Sequence, residues 1–433
     1  MIRLLKKYAK NFIPDKVLCV YHYVHAITAA LWYGNPSKSM TIVGITGTKG
    51  KTSSSEFAWS VLNSGGYKTG LIGTAHIMVG DTELENRLHM TMPSPWITQK
   101  LLKQMKNSGC THVVLEVSSE GLKQYRHIGV HYDIAVFTNL SPEHLPSHNN
   151  SFEEYKKAKS LLFVYTQKTF KKEVFGFKKI SIVNIDSEHG SYYLNIPLDQ
   201  NLKYSLQEYM IKGDVDIEKN SIKLDGVWCT IKVPGIFNMN NALVGYMVGT
   251  TCGLPIEKIK KGIEAVTYIP GRMEEVVMGQ SFRVFIDYAH EKLSMENLLT
   301  TGKAMKKNGG KIIVLFGAEG GGRDKRKRKE MAIVADTLAD YVILSDVDPY
   351  DDNPDQIIAD IAEHFTEKKT DENLFLIPDR TEGIKKAFSL AHENDIVFIC
   401  GKGAEKSMER AGKVIPWDEQ KIVRTLLQNH LSQ

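Results

Sequence analysis

The segment Gly44-Ile45-Thr46-Gly47-Thr48-Lys49-Gly50-Lys51-Thr52 sets glycines at every third position and ends in Gly-Lys-Thr, between an apolar run and a helix-like one. In that context backbone amides and a helix N-terminus cradle phosphates. Lys51 is placed to reach the terminal phosphates of a nucleotide, and Thr52 to put its hydroxyl on a magnesium ion. The spacing departs from the general GxxxxGK[ST] pattern, because position 45 is Ile and the first glycine stands one residue earlier. A Gly-rich turn without catalytic meaning is the alternative; the preceding strand-like run and the terminal Gly-Lys-Thr weigh against it.

Other residues fit the same chemistry but are ambiguous alone. Glu116 follows the strand-like THVVL and His144 follows DIAVFTNL, so both are expected at the carboxyl ends of adjacent strands, where open α/β sheets bind ligands. Taken singly, Glu116 reads equally as a helix cap and His144 as a loop histidine. Lys159, in Tyr155-Lys156-Lys157-Ala158-Lys159, reads as one surface lysine among others. Asn238 and Asn241 suit helix capping. Arg126 can grip a carboxylate with two parallel hydrogen bonds.

The elements that must position these residues follow from periodicity. Beyond residue 40, short β-branched runs (TIVGITG, THVVLEVSS, DIAVFTNLS, KISIVNID) alternate with helical stretches, which indicates a mainly parallel sheet wrapped by helices. Asp214–Val233 alternates with turn residues and is expected as antiparallel strands at the edge of that sheet. After the turn-prone Tyr268-Ile269-Pro270-Gly271 a second alternation begins: FRVFIDYAH, KIIVLFG, YVILSD, NLFLIP, DIVFICG. The expected fold is α/β: residues 1–40 a short helical segment, 41–269 a central P-loop-type ATPase domain, and 270–433 a C-terminal Rossmann-like domain. A length of 433 residues with 42% hydrophobic content supports such cores. A net charge of +5, from 55 basic and 50 acidic residues, gives no argument for a nucleic-acid partner, and none is expected. The five cysteines form no CxxC pair and read as free thiols of a reducing compartment.

GITGTKGKTS resembles the variant phosphate loop of the Mur ligases and their folylpolyglutamate synthetase relatives. Further blocks follow in the family's order from about Thr41 to Arg424: LEVSSEGL with Gln124 and Arg126, FTNLSPEHL, YKKAKSLLF, GIFNMNNA, GRME, DYAH, Arg323-Asp324-Lys325 and GKGAE. They are most similar to the UDP-N-acetylmuramoyl-tripeptide synthetase branch. The resemblance implies an ATP-dependent ligase that joins a carboxylate to an amine through an acyl-phosphate, releasing ADP and phosphate. It implies ATP contacts from Gly47, Thr48, Lys49, Gly50, Lys51, Thr52, Ser53, Asn238, Asn241, Arg272, Asp287 and His290. It assigns Mg2+ to Thr52, Glu116, His144 and a carbamylated Lys159, and a catalytic part to Lys51, Glu116, His144, Lys159 and Arg272, whose arginine reaches ATP on domain closure. The acceptor, a muramoyl-peptide precursor, falls to Thr91, Ser118, Gln124 and Arg126, and the incoming amino acid to Arg323, Asp348, Tyr350, Gly401 and Glu405.

The departures from the pattern concern substrate pockets. Glu120 stands where the branch has histidine, Pro146 where it has Asp, and Thr91-Met92-Pro93 lacks a second threonine. Where diaminopimelate-adding relatives show Asp-Asn-Pro-Arg, this chain reads Val347-Asp348-Pro349-Tyr350, followed by Asp351, and tyrosine cannot form a bidentate ion pair. Asp348, Asp351 and Glu405 would instead attract a distal ammonium, so L-lysine or another diamino acid is the expected substrate; Asp351 and Asp352 as solvated loop charges are the alternative. The roughly forty residues before the loop are too few for the separate uridine-nucleotide domain of such relatives. An acceptor that is lipid-linked or not muramoyl, and a folylpolyglutamate synthetase-like activity, are the alternatives kept. Arg3, Lys6, Lys7, Lys10 and Lys16 precede an uncharged run from Val17 to Gly34, expected as a helix packed on the ATPase domain or lying on a membrane surface. The expected location is the cytoplasm, with peripheral membrane contact through that helix as the further option.

Overall fold

The computed structural model describes residues 15–84, 90–143, 145–173, 176, 178–307 and 309–432. The chain forms two compact units. One runs up to Thr230 and takes in Met239–Ala265; the other comprises Ile231–Asn238 and the chain from Val266 onward.

The first unit is built on an eight-stranded sheet. Its strands are β1 (Thr41–Thr46), β2 (Thr69–Ile72), β3 (Ile77–Val79), β4 (Thr82–Leu84), β5 (His112–Glu116), β6 (Ile134–Phe137), β7 (Ile180–Asn184) and β8 (Gln200–Tyr204), in the order β4-β3-β2-β5-β1-β6-β7-β8. From β2 to β8 all pairings are parallel, while β2, β3 and β4 form an antiparallel meander at one edge. Parallel strands covered on both faces read as continuous apolar runs; every residue of β1, β5 and β6 is buried. Gly44 in β1 is required by a close approach, since a Cβ there would lie 2.8 Å from the Tyr132 ring. Buried Asp133 fixes the start of β6 against β1: its carboxylate accepts the Ile42 amide at 2.8 Å and two buried ammonium groups, Lys172 and Lys179. Burial pushes the Lys172 ammonium down to about 8.

Two expectations are corrected here. Glu116 ends β5 and the segment leading to His144 leaves β6, but β1 lies between these strands, so they are the two neighbours of the loop-bearing strand rather than neighbours of each other. Asp214–Val233 does not extend the main sheet. β8 takes that edge, and the later segment folds on itself as a three-stranded antiparallel sheet of β9 (Val215–Asp216), β10 (Ser221–Leu224) and β11 (Val227–Thr230), the tight β10–β11 turn sitting on Asp225 and Gly226 at positive φ.

The second unit holds a six-stranded sheet of β12 (Glu274–Val276), β13 (Arg283–Asp287), β14 (Ile312–Phe316), β15 (Tyr341–Leu344), β16 (Leu374–Leu376) and β17 (Ile396–Cys400), ordered β12-β13-β17-β14-β15-β16. Only β12 runs antiparallel. β17 inserts between β13 and β14, so the strand order switches there, and ligands of open α/β sheets bind beyond the carboxyl ends at such a point. A two-stranded hairpin, Ser407–Arg410 with Lys413–Pro416, was not anticipated from the sequence. Cys110, Cys229 and Cys400 are buried, and Cys19 and Cys252 half-buried; all five are free thiols.

Candidate active site

In the first unit the loop after β1 turns into the helix Lys51–Ser64, with Gly50 as the residue before the helix at φ +79°. The loop is held from below by the segment leaving β6. Thr138 Oγ1 donates to the Lys49 carbonyl at 2.7 Å, Asn139 Oδ1 accepts the Lys49 amide at 2.8 Å, and Asn139 Nδ2 donates to the Lys49 carbonyl at 3.1 Å. Thr48 is fixed by the Ser141 amide and the Tyr155 hydroxyl, and Lys49 pairs with buried Glu143 at 3.1 Å. The fit allows no side chain at Gly47 or Gly50. A Cβ at Gly47 would fall 1.9 Å from Thr138 Oγ1, and one at Gly50 2.4 Å from Asn241 Oδ1. Gly47→Ala is therefore expected to lower stability by ~1–3 kcal/mol and to abolish tight nucleotide binding, read by thermal melting and ATP titration.

The Lys51 ammonium donates to the carbonyls of Gly47 and Thr48, both at 2.9 Å, so it already curls over the loop where phosphates would be cradled. At the helix N-terminus Thr52 Oγ1 donates to Glu116 Oε2 at 3.0 Å. The same buried carboxylate accepts the Thr74 amide at 2.7 Å and the Thr74 hydroxyl at 3.1 Å. Thr52 and Glu116 thus come together as the sequence suggests. Thr74, which orients Glu116, was missed, although Gly73-Thr74 directly follows β2 and a small residue pair at a strand end beside β5 was the available signal. The donors are all oxygens, the chemistry that suits Mg2+, which takes one or two protein carboxylates and completes its shell with phosphates and water. His144 lies outside the described residues.

Lys159 is not a surface residue. It sits in the helix Phe152–Lys168, 2% exposed, donates to the Gly47 carbonyl at 2.8 Å and lies 4.5 Å over the Tyr155 ring. Burial first, and then the neighbouring Lys51 and Lys49, hold its ammonium well below the ordinary lysine value, opposed only by Glu143. The neutral amine is thereby favoured more than in an ordinary lysine, and it is the neutral form that can react with CO2.

The acceptor candidates form a second cluster after β5. Ser118 caps the short helix Ser119–Lys123 by accepting the Gly121 amide. Arg126 is anchored to Gln124 Oε1 and to the Met92 carbonyl, and the Thr91 and Thr74 hydroxyl oxygens lie 3.2 Å apart, so that Thr91 can donate to Thr74 while Thr74 donates to Glu116. Thr74 therefore links the Glu116 corner to the acceptor cluster. Asn241 accepts from Ser54 beside the loop. Asn238, the third residue of the helix Ile236–Thr251, donates from its side-chain amide to the Pro234 carbonyl at 2.7 Å, which is not the N-cap geometry, in which the side-chain oxygen accepts a backbone amide.

In the second unit Asp287 ends β13 and is spent on backbone: it accepts the Met273 and Ala289 amides, both at 2.7 Å, and so ties the Gly271-Arg272-Met273 turn to the strand end. Burial raises its carboxyl despite Arg272 nearby. Arg272 lies 4.6 Å over the Tyr288 ring. His290 Nδ1 lies 2.7 Å from the Tyr288 carbonyl, which can only accept, so that nitrogen carries a proton. Gly403 is needed at φ +53°, where a Cβ would crowd Tyr288 at 3.0 Å, and Gly401, at the end of β17, donates its amide to the Asp287 carbonyl.

One assignment changes. Asp348 and Glu405 do not stand as free acids awaiting an ammonium, because buried Lys402 donates to both, at 2.8 and 2.5 Å. Burial works against the Lys402 charge, but Glu405 and Asp348 hold it above the ordinary lysine value. Two carboxylates and one ammonium leave a single negative charge. Lys402 lay inside the GKGAE block and was not singled out. Asp351 is exposed, as the solvated-loop reading has it. Tyr350 sits at φ +54° and its hydroxyl accepts from Arg323 at 3.2 Å.

Comparison with known proteins finds relatives along most of the chain. Residues 45–249 match the Mur ligase middle domain, and residues 271–403 the Mur ligase glutamate ligase domain. A UDP-N-acetylmuramoyl-L-alanyl-D-glutamate--2,6-diaminopimelate ligase from Caldanaerobacter subterraneus subsp. tengcongensis is 37% identical over 92% of this chain and 80% of its own. A UDP-N-acetylmuramyl-tripeptide synthetase from Treponema denticola is also 37% identical, over 92% of this chain and 78% of its own. Among solved structures, a ligase of the diaminopimelate type aligns with TM-score 0.58 and 27% identity over 91% of this chain and 79% of its own. Mycobacterium tuberculosis folylpolyglutamate synthase, complexed with ADP and AMPPCP, aligns with TM-score 0.69 over 88% of this chain and 92% of its own, but at 14% identity, a likeness of fold alone.

Proposed function

The chain belongs to the Mur ligase family of ATP-dependent amide-bond ligases, and from that premise we propose that it adds a diamino acid to the peptide carboxylate of a muramoyl precursor, UDP-N-acetylmuramoyl-L-alanyl-D-glutamate. The observation that carries this reading is the convergence of Lys51, Thr52, Glu116 and Lys159 on one loop. A carboxylate and ATP are both anionic, so attack on the γ-phosphate requires their charge to be neutralised first. Lys51 supplies one cation at the loop. Bound Mg2+ supplies the rest of the screening and polarises the phosphoryl oxygens. Thr52 and Glu116 are its assigned oxygen ligands, joined by His144 and by Lys159 as a carbamate; the burial of the Lys159 amine beside two cations, which weakens its hold on a proton, supports that modification.

Arg126, with Gln124 fixing its fork, is assigned to the acceptor's peptide carboxylate, and Ser118 and Thr91 to its polar groups. The acceptor carboxylate oxygen attacks the γ-phosphorus, ADP leaves, and the amine then displaces phosphate from the acyl carbon. In the second unit Arg272 is assigned to phosphoryl charge, and Asp287 holds the turn that carries it. The cytoplasm, where ATP is supplied, is the location we read for such a reaction.

The amine is read as L-lysine or another diamino acid without a distal carboxylate. Relatives named for diaminopimelate speak for that substrate, but the position expected to grip its second carboxylate is Tyr350, and tyrosine forms no bidentate ion pair with a carboxylate. Tyr350→Arg is expected to raise use of meso-diaminopimelate relative to L-lysine about tenfold or more in an amine competition assay. The proposal as a whole is tested by phosphate release with ATP and Mg2+ across a panel of amines, with and without the precursor, and by the mass of the product. Product with a diamino acid supports it; phosphate release that needs no amine contradicts it.

A further inference from the structure

The helix Asp15–Trp32 is oriented the wrong way round for a helix whose task is packing. Its small residues Ala26, Ala29 and Ala30 face the protein and are buried, Ala30 against Gly129. Its large apolar residues face water: Val17, Val20, Tyr21, Val24, Leu31 and Trp32 are all exposed, Val20 by 62%, Leu31 by 65% and Trp32 by 75%. At 100° per residue these positions, with Thr28, fall within about 120° of the helix circumference, opposite the alanines. Scattered exposed apolar residues are ordinary, but an unbroken stripe along a helix of 18 residues, ~27 Å long, marks a surface made to be covered.

The charge around the stripe says what covers it. From Val17 to Gly34 there is no Asp, Glu, Lys or Arg, while the sequence leading into the helix carries Arg3, Lys6, Lys7, Lys10 and Lys16 against the one acid Asp15. A second copy of this chain would bring the same cations together. A bilayer rich in anionic lipid would take up both parts at once, the cations at its headgroups and the stripe at the acyl boundary, with Tyr21 and Trp32 at the depth where amphipathic rings settle. The helix would lie in the surface rather than cross it: its alanine face is occupied by protein, and no helix among the described residues is long and apolar enough to span a membrane.

We propose that the helix Asp15–Trp32 is a peripheral docking element for an anionic lipid surface. The docking rests on this geometry and not on the proposed reaction. Its consequence for the reaction does rest on that reading: Tyr23 stands edge-on to Tyr125 with ring centroids 6.2 Å apart, and Tyr125 lies between Gln124 and Arg126, so the assigned acceptor cluster is held beside the docked face.

The test is co-sedimentation of the full-length protein with phosphatidylglycerol-containing vesicles and with vesicles of phosphatidylcholine alone. Binding to the anionic vesicles is expected, weakened by added salt. The triple variant Val20→Glu, Val24→Glu, Leu31→Glu should lower the bound-to-free ratio about tenfold or more, with unchanged melting and unchanged ligation in vesicle-free buffer. Lys6→Gln, Lys7→Gln, Lys10→Gln should lower binding to anionic vesicles only. The proposal is overturned if the wild type stays in the supernatant, if either triple variant sediments like the wild type, or if the wild type is a dimer that the Glu variant dissociates while vesicle binding is absent. Loss of vesicle binding with ligation retained separates a failure of docking from a failure of the proposed reaction.

Discussion

Lys159→Met is expected to reduce the ligation rate by roughly 10²–10³ while the protein stays folded and continues to bind nucleotide. Methionine keeps most of the buried stem's packing and removes only the amine. The carbonyl that amine engages, that of Gly47, is not orphaned by the change, because the Lys51 ammonium also donates to it, at 2.9 Å. Stability should therefore shift little, and the loss should appear in kcat. The same reading fixes a pH dependence. Because burial and the nearby Lys51 depress the Lys159 ammonium well below an ordinary lysine, the reactive neutral amine persists to lower pH than it would on an exposed lysine. As pH falls through that depressed value the amine takes up a proton, the carbamate is lost, and activity should fall with it. Bicarbonate should move this loss to lower pH, and CO2-depleted buffer should raise it. Activity of the wild type that is indifferent to CO2 across that range would remove the carbamate from the account, and full activity of Lys159→Met would remove the residue.

Glu116→Gln is the second large effect. The substitution preserves shape and one acceptor oxygen but takes away the charge, and it places an amide donor among the Thr52 and Thr74 hydroxyls. A loss of about 10²–10³ in kcat/KM is expected, together with a higher Mg2+ concentration for half-maximal activity, while ATP binding measured without Mg2+ should change little. Titrating activity with Mg2+ in both proteins checks this. Equal half-saturation would show that Glu116 shapes the corner without holding the ion. Thr74→Val should produce a weaker version of the same shift, since it removes one of the hydrogen bonds that aim the carboxylate.

The loop and both sheets were legible in the sequence because their signals are local. A buried parallel strand is a short apolar run, and a phosphate loop is a fixed spacing of glycines before Lys and Thr. What was not legible depends on which face a residue turns inward. Lys159 sits in a lysine-rich helix and looks solvated in the sequence; only the packing of Phe152–Lys168 beneath the loop buries it. The segment 214–233 shows alternation that fixes strands but not their partners, and β8 had already filled the expected edge. Asp348 and Glu405 looked like an acidic pocket because Lys402, distant from Asp348 in sequence, is brought between them only by the fold, in which the chain segments after β15 and β17 meet beyond the ends of the two strands that flank β14. The uncharged run after Lys16 was visible as a helix, but not that its alanines would turn inward and its large residues outward.

The central claim is that ligation passes through phosphorylation of the acceptor carboxylate, and isotope transfer tests it most directly. The precursor is prepared with ¹⁸O in the carboxylate to be ligated and incubated with ATP, Mg2+ and the preferred diamino acid, and the released phosphate is analysed by mass. The account predicts one labelled oxygen in inorganic phosphate for each amide formed, with ADP as the other product. Label found in AMP, or phosphate free of label while the amide forms, would contradict it.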